Sequence, residues 1–213
     1  MPVLFDRTCL LCGRVLSAEK RSAALCPDCA REVRTEYRYH GECSVPGADG
    51  AAAALCYRGR VKEALHRFKF GGRPQYAAWF AAEMAAVLAA QLDRWQPTCI
   101  TYLPLGFLRA RERGYNQAEL LARPIAQSLS LPCVPALRKR PFTARQSVQQ
   151  DAAARRKNAA GSLLPGRVPL AGERVVVIDD IVTTGSTAAD AAHVLRSMGA
   201  ACVFVLAAAK TVD

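Results

Sequence analysis

The sequence predicts an α/β protein whose sheet is buried on both faces, preceded by a small cysteine-rich module. Three observations carry that reading. Val175–Ile178 is a run of four apolar, mostly β-branched residues, as expected of a strand covered on both sides. After it come Asp179 and Asp180, the hydroxyl-rich loop Thr183-Thr184-Gly185-Ser186-Thr187, and then Ala188, Ala191, Ala192, Leu195 and Met198 at helical spacing, with Gly199 placed to end the helix. Near the N-terminus, Cys9-Leu-Leu-Cys12 and Cys26-Pro-Asp-Cys29 form two close pairs of thiols.

The 213 residues suffice for one full domain and a small appendage. The Gly/Ala-rich stretch Gly47–Ala54 reads as a connector, which divides the chain into a module over 1–50 and a domain over 51–213. No internal repeat is evident. A formal net charge of +11 calls for an anionic partner, whether a phosphorylated ligand, nucleic acid or an acidic membrane face, although charge also serves solubility. Met1 to Thr8 carries charges and leads straight into the first cysteine pair, so no signal peptide is expected. Tyr76–Leu92 is the most apolar long stretch, yet it contains Glu83 and reads as a core helix rather than a membrane span. The nine cysteines are thus expected in a reducing cytoplasm, where paired spacing points to metal before disulfide.

Each CxxC offers two thiolates from a tight knuckle, so Cys9, Cys12, Cys26 and Cys29 can complete a tetrahedral site for structural Zn2+. The thirteen residues between the pairs are too few for a core, and the metal would hold the module together. A redox dithiol pair is the other chemistry open to CxxC, but no βαβ context surrounds these. Cys43 and Cys56 lack CxxC partners and read as buried small residues, with Cys43 also able to replace a knuckle thiolate. Cys99, Cys133 and Cys202 sit in or beside apolar runs and read as core.

Val61, Leu65 and Phe68 mark the apolar face of a helix, which leaves Arg60, Lys62, Arg67 and Lys69 on a face expected to be largely solvated. Cys99–Leu103 is a short strand, and Arg109, Arg111 and Arg113 follow it. Guanidinium groups there match the oxygens of a pyrophosphate, and on composition alone a charged surface loop is equally open. A helix begins near Asn116 and contains Pro124, where a kink is expected. Cys133–Leu137 reads as an edge strand because Pro135 is poorly tolerated centrally. From Arg138 to Asn158 the chain is basic and irregular, fitting a solvated hairpin, a phosphate-covering lid or part of a nucleic-acid surface. Ala201–Ala207 supplies a last strand.

The strand–acid–loop–helix stretch reads chemically as a sugar-phosphate cradle. Free N–H groups at the start of the helix favour a phosphate, Gly185 lets backbone approach it, and Thr183, Thr184, Ser186 and Thr187 add hydroxyls. Asp179 and Asp180 can accept hydrogen bonds from two vicinal sugar hydroxyls. No Lys follows the glycine as in a Walker loop, and GxGxxG is absent.

This stretch resembles the signature of type I phosphoribosyltransferases, which bind 5-phosphoribosyl-1-pyrophosphate (PRPP). The order of features along nearly the whole chain resembles one subgroup, the ComF/GntX family. The matching elements are the two cysteine pairs, Tyr57-Arg-Gly, Lys69-Phe, Leu103-Pro-Leu, Arg113-Gly-Tyr-Asn-Gln117, Thr143-x-x-Gln146, Arg155-x-x-Asn158 and the signature itself. The resemblance implies a type I phosphoribosyltransferase fold, that is, a doubly wound, mostly parallel sheet with a flexible hood. It implies the acid pair on the ribose hydroxyls, the 183–187 loop on the 5-phosphate, Mg2+ accompanying PRPP, and a role in DNA uptake during natural transformation. Single-stranded DNA and proteins of the uptake machinery are the expected macromolecular partners. Two departures stand out. The family's second pair of knuckles is reduced here to Cys43 and Cys56, and the spacing of Gln146 and Asn158 leaves both without an assigned catalytic role.

Overall fold

The computed structural model describes residues 8–16, 23–140 and 161–212. In chain order these form α1 (Pro27–Glu32), a π-turn (Val33–Tyr37), β1 (Gly50–Cys56), α2 (Gly59–Phe70), α3 (Tyr76–Ala89), α4 (Leu92–Trp95), β2 (Cys99–Tyr102), α5 (Phe107–Arg113) and α6 (Gln117–Ser128). They continue with β3 (Leu137–Lys139), β4 (Leu163–Pro165), β5 (Arg174–Val182), α7 (Ser186–Ser197) and β6 (Cys202–Lys210).

Four strands make one sheet in the order β1-β6-β5-β2, and each neighbouring pair is parallel. Side chains alternate across a strand, so a sheet covered on both faces needs apolar residues at successive positions. In β5, Val176 and Ile178 pack with Phe204 and Leu206 of β6 against α2, α3 and α6, where Phe68, Phe80, Met84, Leu121 and Ile125 are buried. Val175 and Val177 pack on the opposite face with Ala191, Ala192 and Leu195 of α7 and with Leu137 and Leu163. This two-sided cover is the doubly wound arrangement that the apolar run in β5 requires.

β3 and β4 pair antiparallel as a separate two-stranded unit. The intervening residues 141–160, and with them Thr143, Gln146, Arg155 and Asn158, lie outside the described residues. The base of this unit is fastened to α7 by one carboxylate. Asp190 accepts hydrogen bonds from the backbone N–H groups of Gly161 (2.8 Å), Ser162 (3.0 Å) and Leu163 (3.0 Å), and from the Ser162 hydroxyl (3.2 Å).

Two local expectations change. The edge strand sought over Cys133–Leu137 reduces to a parallel bridge between Cys133 and Ile100, framed by Ile100 N–H to Pro132 and Val134 N–H to Ile100. Pro135 has no N–H to continue the ladder. The expected kink notwithstanding, α6 runs through Pro124 as one helix, with Asn116 capping it by accepting from the Ala118 N–H at 3.1 Å.

The cysteine-rich segment packs onto the sheet domain rather than standing apart. Leu11, Leu16, Val33 and Tyr37 join the same buried cluster as Leu55, Val61 and Leu65. The basic face of α2 takes part in this docking. Arg67 Nη2 donates to the carbonyls of Leu10 (2.9 Å) and Leu11 (2.8 Å), and Arg60 Nη1 pairs with Glu32 at 2.9 Å. A solvated basic face is therefore not what α2 presents at Arg60 and Arg67. Among the described residues no helix is long and apolar enough to cross a membrane.

Replacing Asp190 by Ala leaves three backbone donors and one hydroxyl of the β4 approach without their acceptor. The expected cost is about 1.5–3 kcal/mol of stability. A denaturant midpoint within error of the parent protein would contradict it.

Candidate ligand site and metal centre

Asp179 and Asp180 sit inside β5, because its ladder with β6 continues through Ile181↔Ala209 and Val182↔Lys210. The sequence reading placed them just beyond the strand. Alternation then sends the two carboxylates to opposite faces: Asp180 follows Val176 and Ile178 toward α2, whereas Asp179 follows Val175 and Val177 toward α7. Asp180 meets a cation there. Lys69 Nζ lies 2.8 Å from Asp180 Oδ1, with both side chains largely covered. Lys69 is thus a site residue that the sequence reading left on a solvated face; helical periodicity shows which face is apolar, not what meets the other one.

Asp179 accepts the Asp180 N–H at 2.7 Å. Burial, reinforced by the neighbouring Asp180 charge, raises its carboxyl pKa above the ordinary range, while Lys69 and that N–H oppose the rise. Asp179 lines a cleft together with Thr183, Gly185, Ser186 and Thr187. Gly185 caps the twelve-residue α7 with φ of 74°, a left-handed conformation that a side chain disfavours. Thr184 Oγ1 turns inward on the loop, 3.2 Å from Ser186 Oγ and accepting from the Ser186 N–H at 3.4 Å. The loop thus presents backbone and hydroxyl groups at the start of a full helix, the arrangement that favours phosphate. One wall was not foreseen. Val45, in the segment between the π-turn and β1, is buried against the loop, so that a Cβ on Gly185 would sit 3.4 Å from Val45 Cγ2.

The three arginines lie on α5 rather than on a loop, and they diverge. Arg109 and Arg111 are exposed. The Arg113 guanidinium lies 4.5 Å over the ring of Phe70, the residue after Lys69, and donates to Gln117 Oε1 at 3.1 Å. Of the three, Arg113 is the one that meets the end of α2, at the residue after Lys69. The rest of the Arg-Gly-Tyr-Asn-Gln segment ties α6 to its surroundings: the Tyr115 hydroxyl donates to the Phe68 carbonyl, and Asn116 Nδ2 to the Leu103 carbonyl at 3.0 Å.

At the N-terminal module, the sulfurs of Cys9, Cys12, Cys26 and Cys29 all lie within 4.8 Å of one another. Zn–S bonds of about 2.3 Å in a tetrahedron require S···S edges of about 3.8 Å. The Cys12–Cys26 separation of 3.7 Å meets that value. Knuckle bonds from the Gly13 N–H to Cys9 and from the Ala30 N–H to Cys26, each 2.9 Å, turn the thiols inward. Donor type, number and spacing therefore fit a metal ion such as zinc. Cys43 and Cys56 are not part of this cluster among the described residues.

The phosphoribosyl transferase domain family matches residues 77–211. The chain is 29% identical over 209 residues to DNA utilization protein YhgH of Escherichia coli (strain K12), covering 95% of this chain and 90% of that protein. It is 30% identical, with the same coverage, to the protein of that name in Salmonella typhi. Competence protein F of Haemophilus influenzae is 29% identical over 191 residues, covering 84% of this chain and 81% of that protein.

If the four thiolates close one site, elemental analysis of protein purified without added metal should find about one equivalent of zinc. Removing it with a chelator should open the 9–29 segment to proteolysis, since the thiolate–metal bonds are what join the two knuckles to each other. Metal-free protein with a protected segment would rule out the structural role.

Proposed function

The chain belongs to the phosphoribosyl transferase domain family, in its ComF/GntX group, and from that premise we propose that it binds PRPP at the end of β5 in the service of DNA uptake. The observation that carries the reading is the cleft shared by Asp179 and the 183–187 loop, with Asp180 beside it held by Lys69. In this reading Asp179 and Asp180 accept the ribose hydroxyls. The N–H groups and hydroxyls of Thr183, Thr184, Gly185, Ser186 and Thr187 hold the 5-phosphate. Mg2+ screens the pyrophosphate, and Arg113, with Arg109 and Arg111 reaching from α5, lies on the pyrophosphate side. Lys69 keeps a positive charge next to two acids that would otherwise repel an anionic ligand.

The uptake role draws on the relatives' names, and single-stranded DNA is the anionic polymer that the net charge suits. Cytoplasmic location, contact with uptake-machinery proteins and a division into 1–50 and 51–213 complete the proposal. Turnover is a second reading, favoured by the family match over the strand and loop that carry the acids. Attack on the anomeric carbon passes through an oxocarbenium-like state, and the enzyme need only position the acceptor and stabilise departing pyrophosphate. Pyrophosphate release measured against a panel of bases and amines, with and without single-stranded DNA, separates binding from turnover.

Asp180→Asn keeps shape but weakens the charge-assisted bonds to ribose, so PRPP affinity should fall by about 1.5–3 kcal/mol. Gly185→Val should weaken ribose 5-phosphate and PRPP alike, because the loop backbone can no longer approach the phosphate. Calorimetry with PRPP, ribose 5-phosphate and phosphate distinguishes the two. Unchanged PRPP affinity in both folded variants would reduce the signature to a strand–helix turn. For DNA, anisotropy at rising salt should show a steep fall in affinity through counterion release. No binding at low salt would assign the charge to another partner.

A further inference from the structure

Arg60 stands on the sheet domain's helix, yet its guanidinium reaches into the cysteine cluster. Its Nη1 donates to Cys29 Sγ at 3.3 Å and to both oxygens of Glu32 at 2.9 Å. Cys29 is fully buried, and Glu32 holds the guanidinium against it from the end of α1. The approach is built into the start of α2. Gly59 has φ of 48°, and a Cβ there would lie 2.6 Å from the Tyr37 hydroxyl, so only glycine lets the helix begin this close to the module. The Arg60 N–H itself points to that hydroxyl at 3.5 Å.

We propose that Arg60 is a positioning residue of the metal centre: it completes the four-thiolate site from outside the module, so metal retention depends on the sheet domain. This rests on the reading of the cluster as a zinc site. Four thiolates around one divalent ion leave two negative charges in excess. A cationic N–H donor on one sulfur offsets part of that excess and fixes the thiolate's orientation. Outer partners of this kind commonly change metal affinity by about 10- to 100-fold. The module carries its own cation at Arg14, but that guanidinium is engaged with Asp28 at 2.9 Å. Arg67 docks the same module through carbonyls and touches no sulfur.

That difference gives the test. Full-length zinc-loaded protein is mixed with a chromogenic chelator, and Zn2+ release is compared for the parent, Arg60→Ala, Arg60→Lys, Arg67→Ala and Lys62→Ala. Arg60→Ala should retain zinc about tenfold less well, Arg60→Lys should fall between it and the parent, and Lys62→Ala, on the exposed face of α2, should match the parent. The second readout is the thiolate-to-metal charge-transfer band of Co2+-substituted protein. It should shift in Arg60→Ala and stay in place in Arg67→Ala, which loosens docking without touching sulfur. Parent-like retention in Arg60→Ala, or equal losses in Arg60→Ala and Arg67→Ala with no band shift, would overturn the proposal. Parent protein that holds no metal would instead overturn the zinc reading beneath it.

Discussion

Asp179 and Asp180 are consecutive residues on a strand buried from both sides, and this placement sets the demands that neighbouring elements meet. Like charges 4 Å apart in a partly buried setting repel by about 4 kcal/mol, and burial adds to the cost of ionising each. Alternation turns them toward opposite faces, yet they stay near enough that the Asp180 charge still raises the cost of ionising Asp179. Lys69 answers the demand on one side at 2.8 Å. On the other side Asp179 turns to a backbone N–H and an open cleft, and burial together with the Asp180 charge raises its carboxyl pKa.

Lys69 can reach Asp180 only because of the course of α2. The helix starts just beyond β1, and its last turn brings Lys69 to Asp180 of β5, two strands away in the order β1-β6-β5-β2. Tyr115 holds the far end through the Phe68 carbonyl, and Arg113 stacks on Phe70. At the near end Arg60 grasps the cysteine module, and Arg67, in the same last turn as Lys69, grasps it again. One twelve-residue helix therefore carries the cation for the acid pair in its last turn and grips the cysteine module from both of its ends.

The backbone of this arrangement was legible because it rests on local patterns. The apolar run before Asp179, the helical spacing after Gly185 and the CxxC pairs each report their own element. Residues whose role depends on a distant partner were not legible. Lys69, Arg60 and Arg67 look alike in sequence, as basic residues opposite an apolar stripe, and only the path of α2 sorts them onto an acid, a sulfur and two carbonyls. Val45 and Asp190 were missed for the same reason, since a valine between elements and an aspartate in a helix carry no signal of the loop or the four donors they meet. The arginines at 109–113 were recognised as a group, but a short helix points them apart, which spacing in a presumed loop does not reveal.

The same sorting bears on charge. A net +11 counts every cation equally, yet many are already engaged within the fold. Arg38 pairs with Glu83 at 2.7 Å, Arg196 with Asp49 at 2.5 Å and Arg123 with Glu119 at 2.6 Å, while Arg174 donates to the Trp95 carbonyl at 2.8 Å. Arg109 and Arg111 are instead exposed on α5, next to Phe107 and Leu108, which are 78% and 67% exposed. A polyanion responds to the cations it can touch, and each phosphate neutralised contributes its own increment to the salt dependence of binding. The strength of that dependence is therefore governed by how the fold distributes its arginines between internal partners and solvent, and the net charge of the chain is only an upper guide to it.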